Sequence, residues 1–387
     1  MGKVGIIGVG QSVFSRSASG SFKELAFEAF KEACQDGQIS AEEIDASVTC
    51  SAPEYDKQRS PSALVAEYLG LKGPAFYAET LCSSSSTGVR IAYSLVKSGL
   101  HDAVAVMGVQ KMSEISSAQS QELMGRGTDI QWESPFGTMM PAYYALFAQA
   151  HMAEYGLTNE DLARVRVKSS TYGPLNDRAV FRKSLSLEDL TSPDSKMVAP
   201  VASPLRVGDC CANADGSSCV IVVSEEKAKS LSRDPVWILG VGAAIDSVNL
   251  ASRNNFTSLP SAINAGKAAY EMAGITPADV DIAEVHDCFT IAELLAYEAL
   301  GFAKPGQGKE MIKNKETYLD GRIPVNVDGG LLSKGHPIGA TGGSQIRTIV
   351  KQLRGEAGEI QVKNPEIGLV HNVGGVGIYG NVTILGR

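Results

Sequence analysis

The chain contains no Cys-x-x-Cys pair, although it has seven cysteines in 387 residues. That removes the spacing of a structural zinc site, and an odd, irregularly spaced set gives no disulfide framework. No run of about 18 apolar residues occurs, so nothing is predicted to span a membrane. Met1-Gly2-Lys3-Val4-Gly5-Ile6-Ile7 enters a strand-like run without an apolar signal region or cleavage site. Leu385-Gly386-Arg387 is no address signal, and cytoplasm is the expected compartment. Cations are in deficit, with 35 Lys and Arg against 43 Asp and Glu and a net charge of −8. That argues against nucleic acid as the main partner. A dinucleotide fingerprint is missing as well: Gly8-Val9-Gly10 follows a strand-like run, but Val13 stands where the third glycine belongs. Histidine is scarce, at five residues.

What is present is an ordinary globular composition, 44% hydrophobic and 20% charged. Single cores stop growing at roughly 250–300 residues, so two core-forming halves are expected. The first half reads as strands at Val4–Val9, Ser47–Cys50, Ala75–Thr80 and Ala103–Val109, alternating with helices at Phe22–Ala33, Pro61–Leu69 and Thr87–Ser98. Ser217–Ser224 reads as a strand completing it. The second half repeats the order. Its strands are Val236–Val241, Ile282–His286, Pro324–Asp328, Gly368–His371 and Ile378–Leu385. Its helices are Ser261–Ala273, Thr290–Leu300 and Ser344–Leu353. Such alternation predicts an α/β fold of β-α-β units, duplicated within the chain. Residues 1–112 with 201–230 form the first half, 235–387 the second, and 113–200 an inserted loop subdomain. The insert has a helix around Tyr143–Tyr155 and a polar run over Thr171–Ser192, and is read as a cover over the active-site mouth.

Three loops after strand-like runs carry the scarce residues. They are Thr80-Leu81-Cys82-Ser83-Ser84, Val285-His286-Asp287-Cys288-Phe289 and Lys334-Gly335-His336-Pro337-Ile338-Gly339. Cys82 precedes a helix, whose N-terminus carries about half a positive charge and favours thiolate over a thiol of pKa about 8.5. A nearby imidazole would complete a thiol nucleophile. Gly335 and Pro337 confine His336 to a tight turn. Asp287 is expected to cap the helix that starts near Thr290. A fourth loop, His371-Asn372-Val373-Gly374-Gly375-Val376-Gly377, could offer amides to a developing oxyanion. Cys210-Cys211 is unsuited to chelation and reads as packing or pocket lining. The Met139, Met140, Tyr143, Tyr144 and Phe147 cluster reads as helix core, with an acyl pocket as the alternative.

Together these loops resemble the thiolase superfamily over essentially the whole chain. Cys82 resembles the family's nucleophile, and Gly335-His336-Pro337-Ile338-Gly339-Ala340-Thr341-Gly342 its Gly-His-Pro motif. His286-Asp287-Cys288-Phe289 is similar to the version in sterol-carrier-protein-type and archaeal-type thiolases. Phe181-Arg182-Lys183 and Asp209-Cys210-Cys211 through Asp215-Gly216 also resemble that subfamily. The resemblance implies two β-α-β-α-β halves packed as a five-layered αβαβα core. It implies an acyltransferase that makes or cleaves 3-oxoacyl-CoA by a ping-pong reaction through acyl-Cys82, with His286, Cys288 and His336 as the other catalytic groups. His371 stands where the more familiar thiolases carry a second cysteine, and Cys288 takes over that acid–base role. The amides of Cys82 and Gly374 would hold the oxyanion, and Cys211, Met140 and His371 are further candidates for substrate contact. Coenzyme A and its thioesters enter as substrate, with no bound cofactor and no metal. A homodimer core and a separate small partner with a zinc ribbon and an OB-fold are implied, and no nucleic acid or membrane.

Competing readings differ in which thiol they need. A decarboxylating ketosynthase needs no second thiol, and a retro-aldolase needs no Cys82. A degradative enzyme for a bulky aromatic or branched 3-oxoacyl-CoA keeps both. A non-catalytic acyl-CoA-binding subunit and a nicotinamide oxidoreductase complete the set.

Overall fold

The computed structural model describes residues 2–55, 58–137, 139–231 and 233–387. The first half runs β1 (Val4–Gln11), α1 (Phe22–Gly37), β2 (Ala46–Cys50), α2 (Pro61–Tyr68), β3 (Ala75–Ala78), α3 (Ser84–Lys97) and β4 (Ala103–Gln110). There follow α4 (Ser117–Gly125), α5 (Met140–Tyr155), α6 (Asn159–Tyr172) and a hairpin of β5 (Pro200–Ala202) and β6 (Leu205–Arg206). β7 (Gly216–Ser224) and α7 (Glu225–Lys229) lead to the second half. That half comprises β8 (Val236–Ile245), α8 (Pro260–Ala273), β9 (Ile282–Glu284), α9 (Thr290–Ala299), α10 (Gly308–Lys313), α11 (Gly330–Lys334), α12 (Thr341–Arg354), β10 (Ile367–Gly374) and β11 (Tyr379–Gly386).

Among the described residues nine strands are hydrogen-bonded in the order β3-β2-β4-β7-β1-β8-β11-β10-β9. The first five belong to one half and the last four to the other. They meet at a narrow seam, where only Gly5 with Trp237 and Ile6 with Val236 pair. Three apolar cores divide the layers. One packs α1 and α2 against the outer face of the first strand set. A second holds α3 and α12 between the two sets. The third packs α8 and α9, with α5 and α6, against the outer face of the second set. The result is the αβαβα layering expected from the resemblance.

The glycines of the failed fingerprint have a packing role. A Cβ at Gly8 would stand 2.2 Å from the Ala33 carbonyl oxygen, and one at Gly10 2.0 Å from that of Ala29. These glycines let α1 lie directly on β1. The second half repeats the device: Gly240 and Gly242 bring β8 within 2.3 and 1.9 Å, by the same measure, of the Ala269 and Ala265 carbonyls of α8.

The structure corrects the sequence reading at Pro324–Asp328 and in the insert, and adds the short helices α7, α10 and α11. Pro324–Asp328 is not a strand and retains one bridge, Ala283 to Val325. Asn326 sits at φ 53°, and its side-chain oxygen accepts the Val285 amide at 2.8 Å, taking the place of a ladder bond. The insert also holds the unforeseen helices α4 and α6. The polar sequence of α6 hides its inward face: Arg166 and Lys168 are buried, donating to the carbonyls of Leu332 and Val325.

Candidate active site

Cys82 lies between β3 and α3, after Leu81 at φ 55°. Leucine in that left-handed region is strained, and such strain concentrates at functional turns. The Leu81 amide is held by the Glu79 carboxylate at 2.6 Å. Cys82 is half-buried, and its thiol faces its own amide and that of Gly375. The amide of that turn facing the thiol is one residue beyond the expected Gly374. The helix start does not produce a resting thiolate: burial dominates and pushes the Cys82 thiol up to about 11.

The Sγ of Cys82 and a ring nitrogen from each of His286 and His336 lie within 4.8 Å of one another. The two imidazoles meet edge to face, with centroids 5.0 Å apart. Burial keeps both neutral, His336 down to about 3 and His286 well below the usual range. Their outer nitrogens fix the tautomers. Thr341 donates its hydroxyl proton to the Pro337 carbonyl at 3.0 Å, so its oxygen accepts from Nδ1 of His336 at 2.7 Å. That leaves a lone pair on Nε2 of His336. Asn372 takes the Ser86 hydroxyl on Oδ1 at 3.0 Å and donates its Nδ2 to Nδ1 of His286 at 2.9 Å. Nε2 of His286 therefore carries the proton. Among the described residues neither Nε2 has a hydrogen-bond partner. One imidazole thus presents a lone pair and the other an N–H.

Cys288 is buried, and its thiol is in hydrogen-bond contact with the Tyr144 hydroxyl, which also donates to the Gly375 carbonyl at 3.2 Å. Burial raises the Cys288 thiol well above its ordinary value. Asp287 does not cap α9. It accepts the amides of Leu331 and Leu332 at 2.7 and 3.3 Å, so it caps α11, the helix that ends just before Gly335 and His336. The Cys288 turn and the His336 turn are thus tied through one carboxylate. Behind them Lys168 pairs with Glu293 and Lys334 with Asp328, all buried.

A cavity of about 560 Å³ is lined by Cys82, Cys211, Cys288 and His336, with Met140 and Tyr144. Its size and apolar walls suit an organic substrate with a few directed polar groups. Cys211 and Met140 thus stand where substrate contact was expected. His371 does not: it is fully buried on β10, is pushed down to about 4, and is absent from the cavity lining. Of the remaining methionine–aromatic cluster, Tyr143 and Phe147 are core and Met139 is exposed. Tyr144 reads from sequence as a member of the methionine–aromatic cluster and not as a partner of Cys288, and Thr341, Asn372 and Gly375 are not singled out. The last three lie within or beside the quoted motifs, but nothing in a common Thr, Asn or Gly announces a tautomer or a facing amide. The Cys82, His286 and His336 atoms would also suit a thiophilic divalent ion, which would occupy the nucleophile.

A paired thiol and imidazole under oxyanion-type donors, with a second thiol in reserve, define an acyl-transfer centre. The family model described as thiolase, N-terminal domain, matches residues 4–189, and that described as thiolase C-terminal domain-like matches residues 242–387. An acetyl-CoA acetyltransferase of Methanothermobacter thermautotrophicus is 37% identical over the full length of both chains. The benzoylsuccinyl-CoA thiolase subunit BbsB of Thauera aromatica is 33% identical, covering 96% of this chain and 95% of the relative. A solved Ltp2–ChsH2(DUF35) aldolase superposes with a TM-score of 0.86 at 27% identity, covering 100% of this chain and 98% of that one. The chain belongs to the thiolase family. It is a CoA-dependent acyltransferase, with acyl-CoA thioesters as substrates rather than resident cofactors. No helix among the described residues is long and apolar enough to cross a membrane.

Proposed function

We propose that the protein makes or cleaves a 3-oxoacyl-CoA by ping-pong transfer through acyl-Cys82. The observation that carries this is the pair of opposite tautomers beside one thiol, with Cys288 in the same cavity. Sγ of Cys82 attacks the thioester carbonyl while its proton passes to Nε2 of His336. The carbon–sulfur bond to coenzyme A breaks, and His336 protonates the departing thiolate; Cys288 then passes its own proton to Nε2 of His336. The Cys288 thiolate, stabilised by Tyr144, then removes an α-proton from a second acyl-CoA. The enolate carbon attacks the acyl carbonyl, and Cys82 leaves, recovering its proton from His336. The His286 N–H, with the Gly375 and Cys82 amides, stabilises the oxyanions. Cleavage runs the same steps backwards.

The test is intact mass after mixing with acyl-CoA. Cys82→Ala should take up no acyl group, and persistent acylation would overturn the nucleophile assignment. Cys288→Ala should keep Cys82 acylation while abolishing exchange of the acetyl-CoA α-protons. The likeness to the Ltp2–ChsH2(DUF35) aldolase favours retro-aldol cleavage as a second reading. Such cleavage forms no acyl-enzyme, so the same experiment separates the two.

A homodimer and a small zinc-ribbon/OB-fold partner complete the proposal. The strand β3 is a sheet edge with exposed Phe76 and Tyr77, which supports pairing with a second copy. The DUF35 component named with the aldolase supports a partner. Co-expression with such a protein should raise activity, and full activity of the chain alone would count against it. Residues 113–200 are the proposed cover, since Ile115, Met124, Met140 and Phe181 of that segment line the cavity.

A further inference from the structure

Cys82 faces a second space. Among the described residues a cavity of about 210 Å³ adjoins the first, and Cys82, Met124, Met140 and Gly375 line both. The two differ in chemistry. The larger contains the groups that move protons, Cys288 and His336. The smaller contains neither. Its walls include Leu81, Leu123 and Ile338, and its charged members are Glu54, Glu79 and Arg126, with Arg126 paired to Glu54 at 2.7 Å. The left-handed turn at Leu81 belongs to this wall, so the strained residue before the nucleophile also shapes the second space.

We propose that the second cavity receives the acyl group carried by Cys82, and that this group is an apolar chain of about six to eight carbons or a single aromatic ring. The inference rests on the thiolase reading and specifies its substrate. Cleavage breaks the bond between C2 and C3 of a 3-oxoacyl-CoA. C3, with the chain beyond it, forms its new bond to Sγ of Cys82, while C2 takes a proton from Cys288 and leaves as part of a shorter acyl-CoA. The two fragments part at Cys82, which is where the two cavities meet. The CoA-bearing two-carbon fragment stays beside Cys288 in the larger space, and the chain has the smaller one. Volume decides its size. An apolar cavity of about 150 Å³ accommodates a benzene ring, so 210 Å³ is ample for a ring or a short chain. An acetyl group would leave most of it unfilled. Met124 and Met140, with their adaptable thioethers, stand at the junction and can follow chains of different shape.

Leu123 separates the two spaces experimentally, because it lines only the smaller. The full-length protein, with its partner if activity requires one, is mixed with acetyl-CoA or hexanoyl-CoA, quenched at short times and weighed intact. Each buried methylene is worth about fourfold, so hexanoyl should acylate Cys82 at least tenfold more efficiently than acetyl. Leu123→Trp should lower the hexanoyl-to-acetyl ratio at least tenfold. Leu123→Ala, which only makes room, should raise the octanoyl-to-hexanoyl ratio and keeps the test open if the tryptophan variant does not fold. A hexanoyl rate no better than acetyl, or ratios unmoved in both variants, would overturn the inference while leaving the thiolase reading in place. Absence of any acyl-Cys82 with either thioester would remove the thiolase reading and the inference with it.

Discussion

Asn372 and Thr341 do no chemistry, yet each sets which nitrogen of an active-site imidazole carries the proton. Replacing Asn372 by Asp would put an acceptor against Nδ1 of His286, move the ring proton there and leave Nε2 without its N–H. Loss of one oxyanion donor typically costs about 10²–10³ in rate, so Asn372→Asp should lower kcat by about that factor. Single-turnover acylation and steady-state condensation measure it. The buried imidazoles also make stability depend on pH. His371 is held at about 4, below the unfolded value of about 6.5, so between those limits the unfolded chain binds the proton and the folded one does not. Stability from this group is complete above pH ~6.5 and is lost as pH falls towards 4. His286 and His336 act in the same sense. Asp287, raised to about 7, and Glu284, also raised, act oppositely, stabilising at low pH and less as pH rises. His371→Asn should therefore reduce the stability lost between pH 6.5 and 4.5 by about 2–3 kcal/mol, read from urea unfolding at both pH values. At this scale the thiols and imidazoles gathered at the candidate site were legible because cysteine and histidine are few and lie beside glycine and proline. Their supporting groups were not, because serine, threonine and asparagine serve equally well as turns, caps and solvent contacts.

At the scale of elements, Asp287 joins two turns that are distant in sequence. As the cap of α11 it fixes the helix that delivers His336, while its neighbour Cys288 lines the cavity and its neighbour His286 lies beside the Cys82 thiol. Asp287→Ala should cost about 1–2 kcal/mol from the lost cap. It should also slow both Cys82 acylation and α-proton exchange, whereas Cys288→Ala removes only the second. Equal effects of the two substitutions on acylation would show that the cap does not position His336. The alternation of strands and helices could be read directly from apolar runs ended by glycine. Pro324–Asp328 misled because an apolar, extended sequence does not show that Asn326 will occupy the ladder with its own side chain. The helix α6 was hidden for the opposite reason. Its buried face carries Arg166 and Lys168, whose charges are acceptable there only because α9 and the 325–334 segment supply acceptors from far along the chain.

At the scale of the molecule, the exposed edge of β3 predicts a dimer. Phe76→Lys should place a charge on that edge and shift the native mass from dimer to monomer, with a loss of less than about 0.5 kcal/mol expected in the monomer fold. The repeated glycine contacts of β1 on α1 and β8 on α8 have a different consequence. Each half carries its own helix-on-sheet packing, and among the described residues its strands join those of the other half by just two residue pairs. Opening the chain after Lys229, at the end of α7, would give two polypeptides, one with the acyl-bearing thiol and the other with both imidazoles and the second thiol. Co-expressed, they should dock through the α3–α12 layer and recover turnover, while each alone stays silent in a thiolysis assay. Such a pair would report the encounter of any two proteins fused to it, because the output is a catalyst that exists only in the complex.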